Sequence, residues 1–330
     1  MLDFKEKANL IWKVADLLRG DYKRSDYGKV ILPMTVLRRL DSVLAQTKQK
    51  VLDYMPRVEN LSDAAKDLTL NKIAGFNFHN RSLYDFAKIV SDPNNVSANL
   101  RNFINGFSGS AREIIEYFNF DKEIDRMDDS KADILFQVVK AFQEIDLSAM
   151  SSMEMGYVFE ELIRKFAEDS NETAGEHFTP REVIKLMVNI LFNHDDEGLK
   201  TEGIVRTVYD PACGTGGMLS VAEQHLKAFN PKARLEVFGQ EINPESYAIC
   251  KSDMLIKGQN PSNIKFGNTF TVDGLEHERF DYLLSNPPFG VDWKKAEKSS
   301  LKKPKTKAWP GVSAQARRAS MTGRSCSYST

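Results

Sequence analysis

Two short motifs in the second half of the sequence combine residue types that can bind and transform a ligand. The first, Asp210–Gly217, reads DPACGTGG and stands between an apolar run and an amphipathic run. Glycines let the backbone approach a ligand closely, and the amides at the start of a following helix attract polar or anionic groups. The motif therefore predicts a binding loop for a nucleotide-like ligand between a strand and a helix.

An acidic residue lies at the spacing that such folds use to bind ribose. Glu241 ends the next apolar run, LEVFGQE, and dinucleotide-binding folds place a carboxylate at about this distance to hold the ribose hydroxyls. The loop and the carboxylate together predict a ligand that contains adenosine. A nicotinamide cofactor is disfavoured, because counting on from Gly214 and Gly216 puts Leu219 where the third glycine belongs.

The second motif is Asn286-Pro287-Pro288-Phe289, at the end of another apolar run. Two prolines cannot extend a central strand, so the chain must leave the sheet there as a rigid turn. Such a turn suits an exocyclic aromatic amine, a poor nucleophile because its lone pair is delocalised into the ring. The Asn286 carboxamide oxygen and the Pro287 carbonyl would accept its N–H groups and aim the lone pair at an electrophilic methyl group. Phe289 would stack on an extruded base.

The elements that position these motifs change in character along the chain. Up to residue 150, apolar side chains recur at helical spacing, which predicts an all-helical region. One more amphipathic helix follows, and after the loop SNETAGEHFTP another helix opens at Pro180. From Gly203 the patterns run strand, helix, strand, helix, strand, strand, which predicts a parallel α/β sheet. The predicted helices before residue 150 cover 4–18, 34–55, 83–90, 98–107, 110–117 and 134–142.

Composition is that of a soluble globular protein with two domains. The 330 residues are 42% apolar and 28% charged, and a net charge of -1 excludes the overall basic surface of a protein that wraps nucleic acid unaided. Three cysteines without metal-ligand spacing, and no signal peptide, predict a cytoplasmic protein with no disulfide and no bound metal. No apolar run approaches the roughly 20 residues that span a bilayer, so no membrane is expected.

Taken together, the motifs resemble those of amino-methylating DNA methyltransferases of the gamma arrangement. DPACGTGGM followed by NPPFG, with GEHFTPREV upstream, is similar to the modification subunit of type I restriction–modification systems. The resemblance implies an all-helical N-terminal domain over 1–150. It implies a Rossmann-like methyltransferase sheet, dependent on S-adenosylmethionine and incomplete at its C-terminus, over 151–295. Asn first and an aromatic residue last in the four-residue motif are typical of adenine-N6 enzymes.

The resemblance also assigns site residues. One loop would lie against the methionine end of S-adenosylmethionine, the glycine loop would surround its methionine and ribose, Glu241 would hold the ribose hydroxyls, and Asn268, where many relatives have Asp, would contact the adenine. The predicted cofactor-binding residues are Glu176, His177, Phe178, Thr179, Pro180, Arg181, Asp210, Gly214, Thr215, Gly216, Gly217, Glu241 and Asn268, and the predicted catalytic residues are Asn286, Pro287, Pro288 and Phe289.

The implied partners are DNA, a specificity subunit and a restriction subunit, in a hetero-oligomer with two modification subunits. Two alternatives remain open: methylation of an amine in protein or RNA, and a truncated chain without activity. After Lys295 the resemblance fades into a basic tail over 296–330, predicted to be disordered or aberrant. Codons chosen for Met321–Thr330 and read in another frame give DGSLLFLLN, which resembles the family's continuation. We therefore hypothesise a frameshift after about residue 295.

Overall fold

A computed structural model describes residues 4–130, 132–170, 179–193 and 195–287 of the chain. These residues divide into two compact units. The first comprises Met1–Thr173 with Pro244–Ser262, and the second comprises Ala174–Asn243 with Asn263–Thr330. Each unit is built on its own core, and the second one holds the motifs.

The first unit is helical throughout its described residues, as the helical periodicity predicts. Its core is rich in aromatic side chains: Phe86 meets Phe103 with ring centroids 5.8 Å apart, and Phe103 meets Phe107 at 5.1 Å, both edge to face. Such pairs add to the stabilisation that burial alone gives. The helices are α1 Phe4–Trp12, α2 Val14–Leu17, α3 Gly28–Leu44, α4 Lys48–Val58, α5 Asp63–Ala74, α6 Phe86–Val90, α7 Val96–Asn105, α8 Gly109–Glu116, α9 Asp121–Asp128, α10 Ile134–Gln143 and α11 Ser152–Ser170.

Several helix boundaries differ from the sequence prediction. The helices predicted over 4–18 and 34–55 are each divided, the first at Lys13 and the second at residues 45–47. Two helices, α5 and α9, were not predicted. Helix α9 buries only Ile124 and Met127, so its apolar stripe is too short to stand out from its charged residues.

The second unit is a parallel sheet with helices. It comprises α12 Arg181–Asn193, α13 Asp196–Leu199, β1 Val205–Asp210, α14 Gly217–Phe229, β2 Arg234–Glu241, β3 Ile264–Phe266 and β4 Tyr282–Leu283, while α15 Pro244–Lys257, between β2 and β3 in sequence, belongs to the first unit. The strand order is β3-β2-β1-β4, and all pairs are parallel. The predicted fold class, an α/β sheet preceded by helices, is confirmed.

The strand order fixes where a ligand can bind. The chain runs from β1 outward to β2 and β3, then returns to place β4 on the other side of β1. In open α/β sheets, the carboxyl ends of strands at such a reversal form the ligand crevice. Asp210 ends β1 and Asn286 follows β4, so both motifs emerge at this edge. Helix α11, which begins after residue 150, belongs to the first compact unit. The domain boundary at residue 150 stays a prediction.

Candidate functional site

The glycine loop joins β1 to α14 in a shape that only glycine adopts easily. Gly214 has φ +55° and Gly216 φ +85°, in the region where a side chain strains the backbone. Gly216 N donates to Cys213 O over 2.8 Å, which closes the turn, and α14 begins at Gly217. Nothing lies within 4 Å of the position that a Cβ on Gly214 would take. The loop therefore presents open space beside the start of a helix.

A second glycine, in β2, lets this loop sit close to the sheet. A Cβ on Gly239 would lie 2.8 Å from Cys213 Sγ and 3.0 Å from Ile264 Cδ1, closer than real Cβ atoms pack. Cys213 N donates to Gln240 O over 3.0 Å. The hydrogen bond holds the loop against β2, and the lack of a side chain at residue 239 leaves room for this close approach.

Glu241 is tied to the glycine loop. Its Oε2 accepts a hydrogen bond from Gly214 N over 2.8 Å, and its Oε1 accepts one from Asn243 N over 2.7 Å. Each carboxylate oxygen can accept more than one hydrogen bond. The side chain is only part-buried, so its remaining acceptor capacity faces solvent at the carboxyl end of β2.

The loop after β3 is fixed by two residues that the sequence analysis missed. Gln240 is fully buried, and its Nε2 donates to Gly267 O at 3.2 Å and to Val272 O at 2.6 Å. Thr269 Oγ1 donates to Pro211 O over 2.6 Å. The signal for Gln240 was an uncharged polar side chain near the end of the strand LEVFGQE, directly before Glu241. The two residues hold the loop that contains Asn268 next to the glycine loop.

Within that loop, Asn268 makes a local turn. Its Oδ1 accepts a hydrogen bond from Phe270 N over 2.9 Å. Phe266 and Phe270, on either side, are each 44% exposed. Exposed aromatic rings beside a polar turn are a surface that a flat apolar ligand can cover.

Asp210 is the most perturbed acid of the site. Its carboxyl group is buried, and Oδ1 accepts a hydrogen bond from Ala212 N over 3.0 Å. Burial, with a smaller contribution from the charge of Glu241, raises the pKa of Asp210 to about 7, against the lowering effect of the Ala212 amide and of the Ser285 hydroxyl. The Ser285 side chain influences Asp210 without a standard hydrogen bond, since Ser285 Oγ has no such partner among the described residues.

The second motif lies beside the first. Leu284 N donates to Tyr209 O over 3.0 Å, which extends the pairing of β4 with β1 up to the turn. Asn286 then donates from Nδ2 to Thr179 Oγ1 over 2.7 Å. Pro287 is part-buried next to it. Residues that are 107 positions apart in sequence therefore meet at the carboxyl edge of the sheet.

The upstream loop reaches the glycine loop as well. Arg181, at the start of α12 and 2% exposed, donates from Nη1 to Gly217 O over 3.2 Å. Pro180 precedes this helix and its carbonyl accepts from Ile184 N at 3.0 Å, so the helix begins directly after Pro180, as predicted. The structure thus brings Thr179, Arg181, the glycine loop and Asn286 together. Predicted site residues outside the described residues are Glu176, His177, Phe178, Pro288 and Phe289.

Two negative observations apply to the described residues only. Within them, no group of three or more His, Cys, Asp or Glu side chains is arranged to hold a metal ion. No helix in the same ranges is both long and apolar enough to cross a membrane.

The fold and the site define an α/β protein that has a glycine loop and the polar residue Asn286 at the edge of the sheet where such folds bind ligands. Comparison with known protein families identifies the family of this chain. Residues 151–320 match the N-6 DNA methylase family, and residues 7–142 match the HsdM N-terminal domain. The chain belongs to the N-6 DNA methylase family, and the resemblance inferred from its motifs is confirmed. The matched range continues past Lys295, where the resemblance was expected to fade, and the frameshift remains a hypothesis.

Individual relatives agree with this family. The chain is 27% identical to the type I restriction enzyme MjaIX methylase subunit of Methanocaldococcus jannaschii, over 86% of the chain and 51% of that protein. It is 24% identical to the MpnII methylase subunit of Mycoplasma pneumoniae, over 88% and 59%. The chain thus spans about half the length of the curated relatives it matches.

A solved structure shares the fold. It is that of a type I restriction-modification system methyltransferase subunit from Streptococcus thermophilus, which matches with a TM-score of 0.64 and 22% identity over 88% of this chain and 65% of that one. At this identity, the likeness concerns the arrangement of helices and strands.

Proposed function

We propose that this chain transfers a methyl group from S-adenosylmethionine to N6 of adenine in DNA, as the modification subunit of a type I restriction–modification system. One observation carries the proposal. Asn286 and the glycine loop follow two paired parallel strands, β4 and β1, at the same edge of the sheet. A methyl acceptor held at the first and a methyl donor held at the second would lie side by side.

The residues at the crevice fit an adenosine-containing methyl donor. S-adenosylmethionine supplies an electrophilic methyl group when bound. Gly214 borders open space, the carboxylate of Glu241 suits ribose hydroxyls, and Asn268 with its exposed aromatic neighbours suits an adenine ring. The buried Asp210 would favour a cationic ligand group, and the loop over 176–181 would cover the methionine end.

Asn286 and Pro287 would prepare the acceptor. The target amine must leave the base stack, because its hydrogen atoms are paired inside a duplex. The Asn286 carboxamide oxygen and the Pro287 carbonyl would accept its two N–H bonds and direct the nitrogen lone pair toward the methyl carbon. These two acceptors would hold the amine for in-line transfer of the methyl group that S-adenosylmethionine would supply, and the proton released from the methylated amine would pass to solvent. Phe289 would stack on the flipped base.

The proposed partners follow from the family and from the charge. Relatives bear the name of type I methylase subunits, and a net charge of -1 leaves this chain without an overall basic surface. We therefore assign DNA sequence recognition to a separate specificity subunit and cleavage to a restriction subunit, with two copies of this chain in a cytoplasmic complex.

A methyl-incorporation assay tests the proposal. The full chain, mixed with its specificity subunit, is given radiolabelled S-adenosylmethionine and unmethylated genomic DNA, RNA or protein as acceptor. Label is expected in DNA alone, as N6-methyladenine after digestion, and only with the specificity subunit present. Label in RNA or protein, or no transfer to DNA by a complex that binds the cofactor, would refute the proposed function.

A further inference from the structure

The side chain of Asn286 is engaged at one end only within the described part of the chain. Its Nδ2 donates to Thr179 Oγ1 over 2.7 Å, while no described residue donates to its Oδ1. The two ends of a primary amide have opposite chemistry, since the NH2 group only donates and the oxygen only accepts. In this arrangement Nδ2 is bonded within the protein, and Oδ1 is the end that is left for a substrate.

The direction of the amide matters for the proposed reaction. The substrate amine needs a hydrogen-bond acceptor at Asn286. If the carboxamide turned by 180° about the Cβ–Cγ bond, it would present its NH2 group to the amine in place of its oxygen. That orientation would place two N–H donors against each other and leave the amine without an acceptor at Asn286. A residue that fixes the orientation contributes to catalysis without touching the substrate amine.

Thr179 is well placed to do this because its own position is fixed. It precedes Pro180, whose ring fixes its own φ, and helix α12 starts directly after it. Arg181 in the first turn of that helix donates to Gly217 O over 3.2 Å. Ile184 and Val188 of α12 are buried, and α12 packs against α14. Arg181, two residues after Thr179, thus ties the start of this helix to the glycine loop.

We propose that Thr179 is a positioning residue for Asn286: its hydroxyl accepts from Nδ2 and so holds Oδ1 toward the substrate amine. This inference rests on the proposed function, and it gives the Thr179 hydroxyl a role distinct from the cofactor binding predicted for this residue.

A pair of substitutions separates this role from cofactor binding. Thr179→Val keeps the shape and removes the acceptor, and Thr179→Ser keeps the hydroxyl. In single-turnover methylation of DNA by the complex, Thr179→Val is expected to lower the rate by about 10- to 100-fold, the range for lost orientation. Its affinity for S-adenosylmethionine should stay near wild type, and Thr179→Ser should retain most of the rate.

The decisive background is Asn286→Ala. Alanine has no carboxamide for Thr179 to hold, so adding Thr179→Val there should change the remaining rate by less than about 2-fold if the two residues act as one unit. An equal loss in both backgrounds, or a loss that follows weakened cofactor binding, would overturn the proposal.

A measurement without turnover keeps the inference separate from the proposed function. In the 15N-labelled full chain, the Asn286 side-chain amide signals are assigned by their loss in Asn286→Asp. One amide proton should exchange slowly with solvent in wild type and Thr179→Ser, and rapidly in Thr179→Val. Identical exchange in wild type and Thr179→Val would refute the positioning role even if DNA is methylated. If DNA is not methylated, the proposed function fails, and the exchange data still decide the contact.

Discussion

The backbone nitrogen of Gly214 donates a hydrogen bond to Glu241 Oε2 over 2.8 Å. The other oxygen of the same carboxylate accepts from Asn243 N over 2.7 Å. One acid therefore links the loop after β1 to the end of β2. Because the carboxylate is part-buried, it can hold the loop and still meet a ligand in front of it.

Glu241→Gln tests this link. An amide has one acceptor atom, so one of the two backbone donors would face an NH2 group and lose its partner. We expect the dissociation constant for S-adenosylmethionine to rise about tenfold or more, which is about 1.4 kcal/mol, as measured by isothermal titration. Glu236→Gln, on the same strand but paired with Arg234, is the control and should bind normally. Wild-type affinity in Glu241→Gln would contradict the assignment.

Asn286→Ala tests the acceptor. Removing the carboxamide should lower the methyl-transfer rate by about 100-fold or more, the effect of losing one preorganised polar contact in an active site, while affinity for S-adenosylmethionine is retained. Single-turnover kinetics and isothermal titration measure the two quantities. Asn189→Ala, at an exposed position on α12, is the control. If Asn286→Ala methylates DNA at the normal rate, the acceptor role is wrong.

The raised pKa of Asp210 predicts a pH dependence of stability. Its pKa rises from 3.8 to about 7 on folding because the carboxyl group is buried. Between these values the folded state binds the proton and the unfolded state does not, so this group's contribution to stability falls as the pH rises through that window. The loss is complete above about pH 7 and amounts to at most about 4 kcal/mol.

Urea unfolding of the wild type and of Asp210→Asn between pH 5 and 8 measures this effect. Asn keeps an acceptor for the Ala212 amide and does not titrate, so the variant should gain stability relative to wild type as the pH rises. A difference that stays constant over the range would show that Asp210 does not titrate there.

Gly239→Ala tests the close approach of the loop to the sheet. The added Cβ would lie 2.8 Å from Cys213 Sγ, and such overpacking typically costs about 1–3 kcal/mol of unfolding free energy. It should also weaken cofactor binding by displacing the loop. Adding Cys213→Ala removes the sulfur and should recover part of both losses. Full stability of Gly239→Ala alone would mean that the loop does not rest on residue 239.

The elements of the second unit could be predicted closely from local pattern. Helix α14 occupies Gly217–Phe229, the run that its amphipathic spacing predicts, and β1 and β2 end at Asp210 and Glu241 as expected. β3 has only three residues, because Gly267 at φ +130° follows it and ends the strand. Periodicity records which face of a segment is buried, and these segments are long enough to show it.

The contacts within the site are less accessible to such analysis. The sequence identified Asp210, Glu241 and Asn286 as chemical groups, but it missed Gln240 and Thr269, which fix the loop after β3. Hydrogen bonds between distant segments do not produce a periodic pattern in the sequence. A buried polar residue can be identified only when its hydrogen-bond partner is known, and that partner can be far away in sequence.

The sequence by itself determined the two binding motifs, the helical and α/β regions, and the family resemblance, because these depend on residue types at short spacings. Only the tertiary structure decided that β4 pairs with β1 and that Thr179 meets Asn286. Strand order and contacts between distant segments are set by how buried faces pack in three dimensions, and many orders are compatible with the same local pattern.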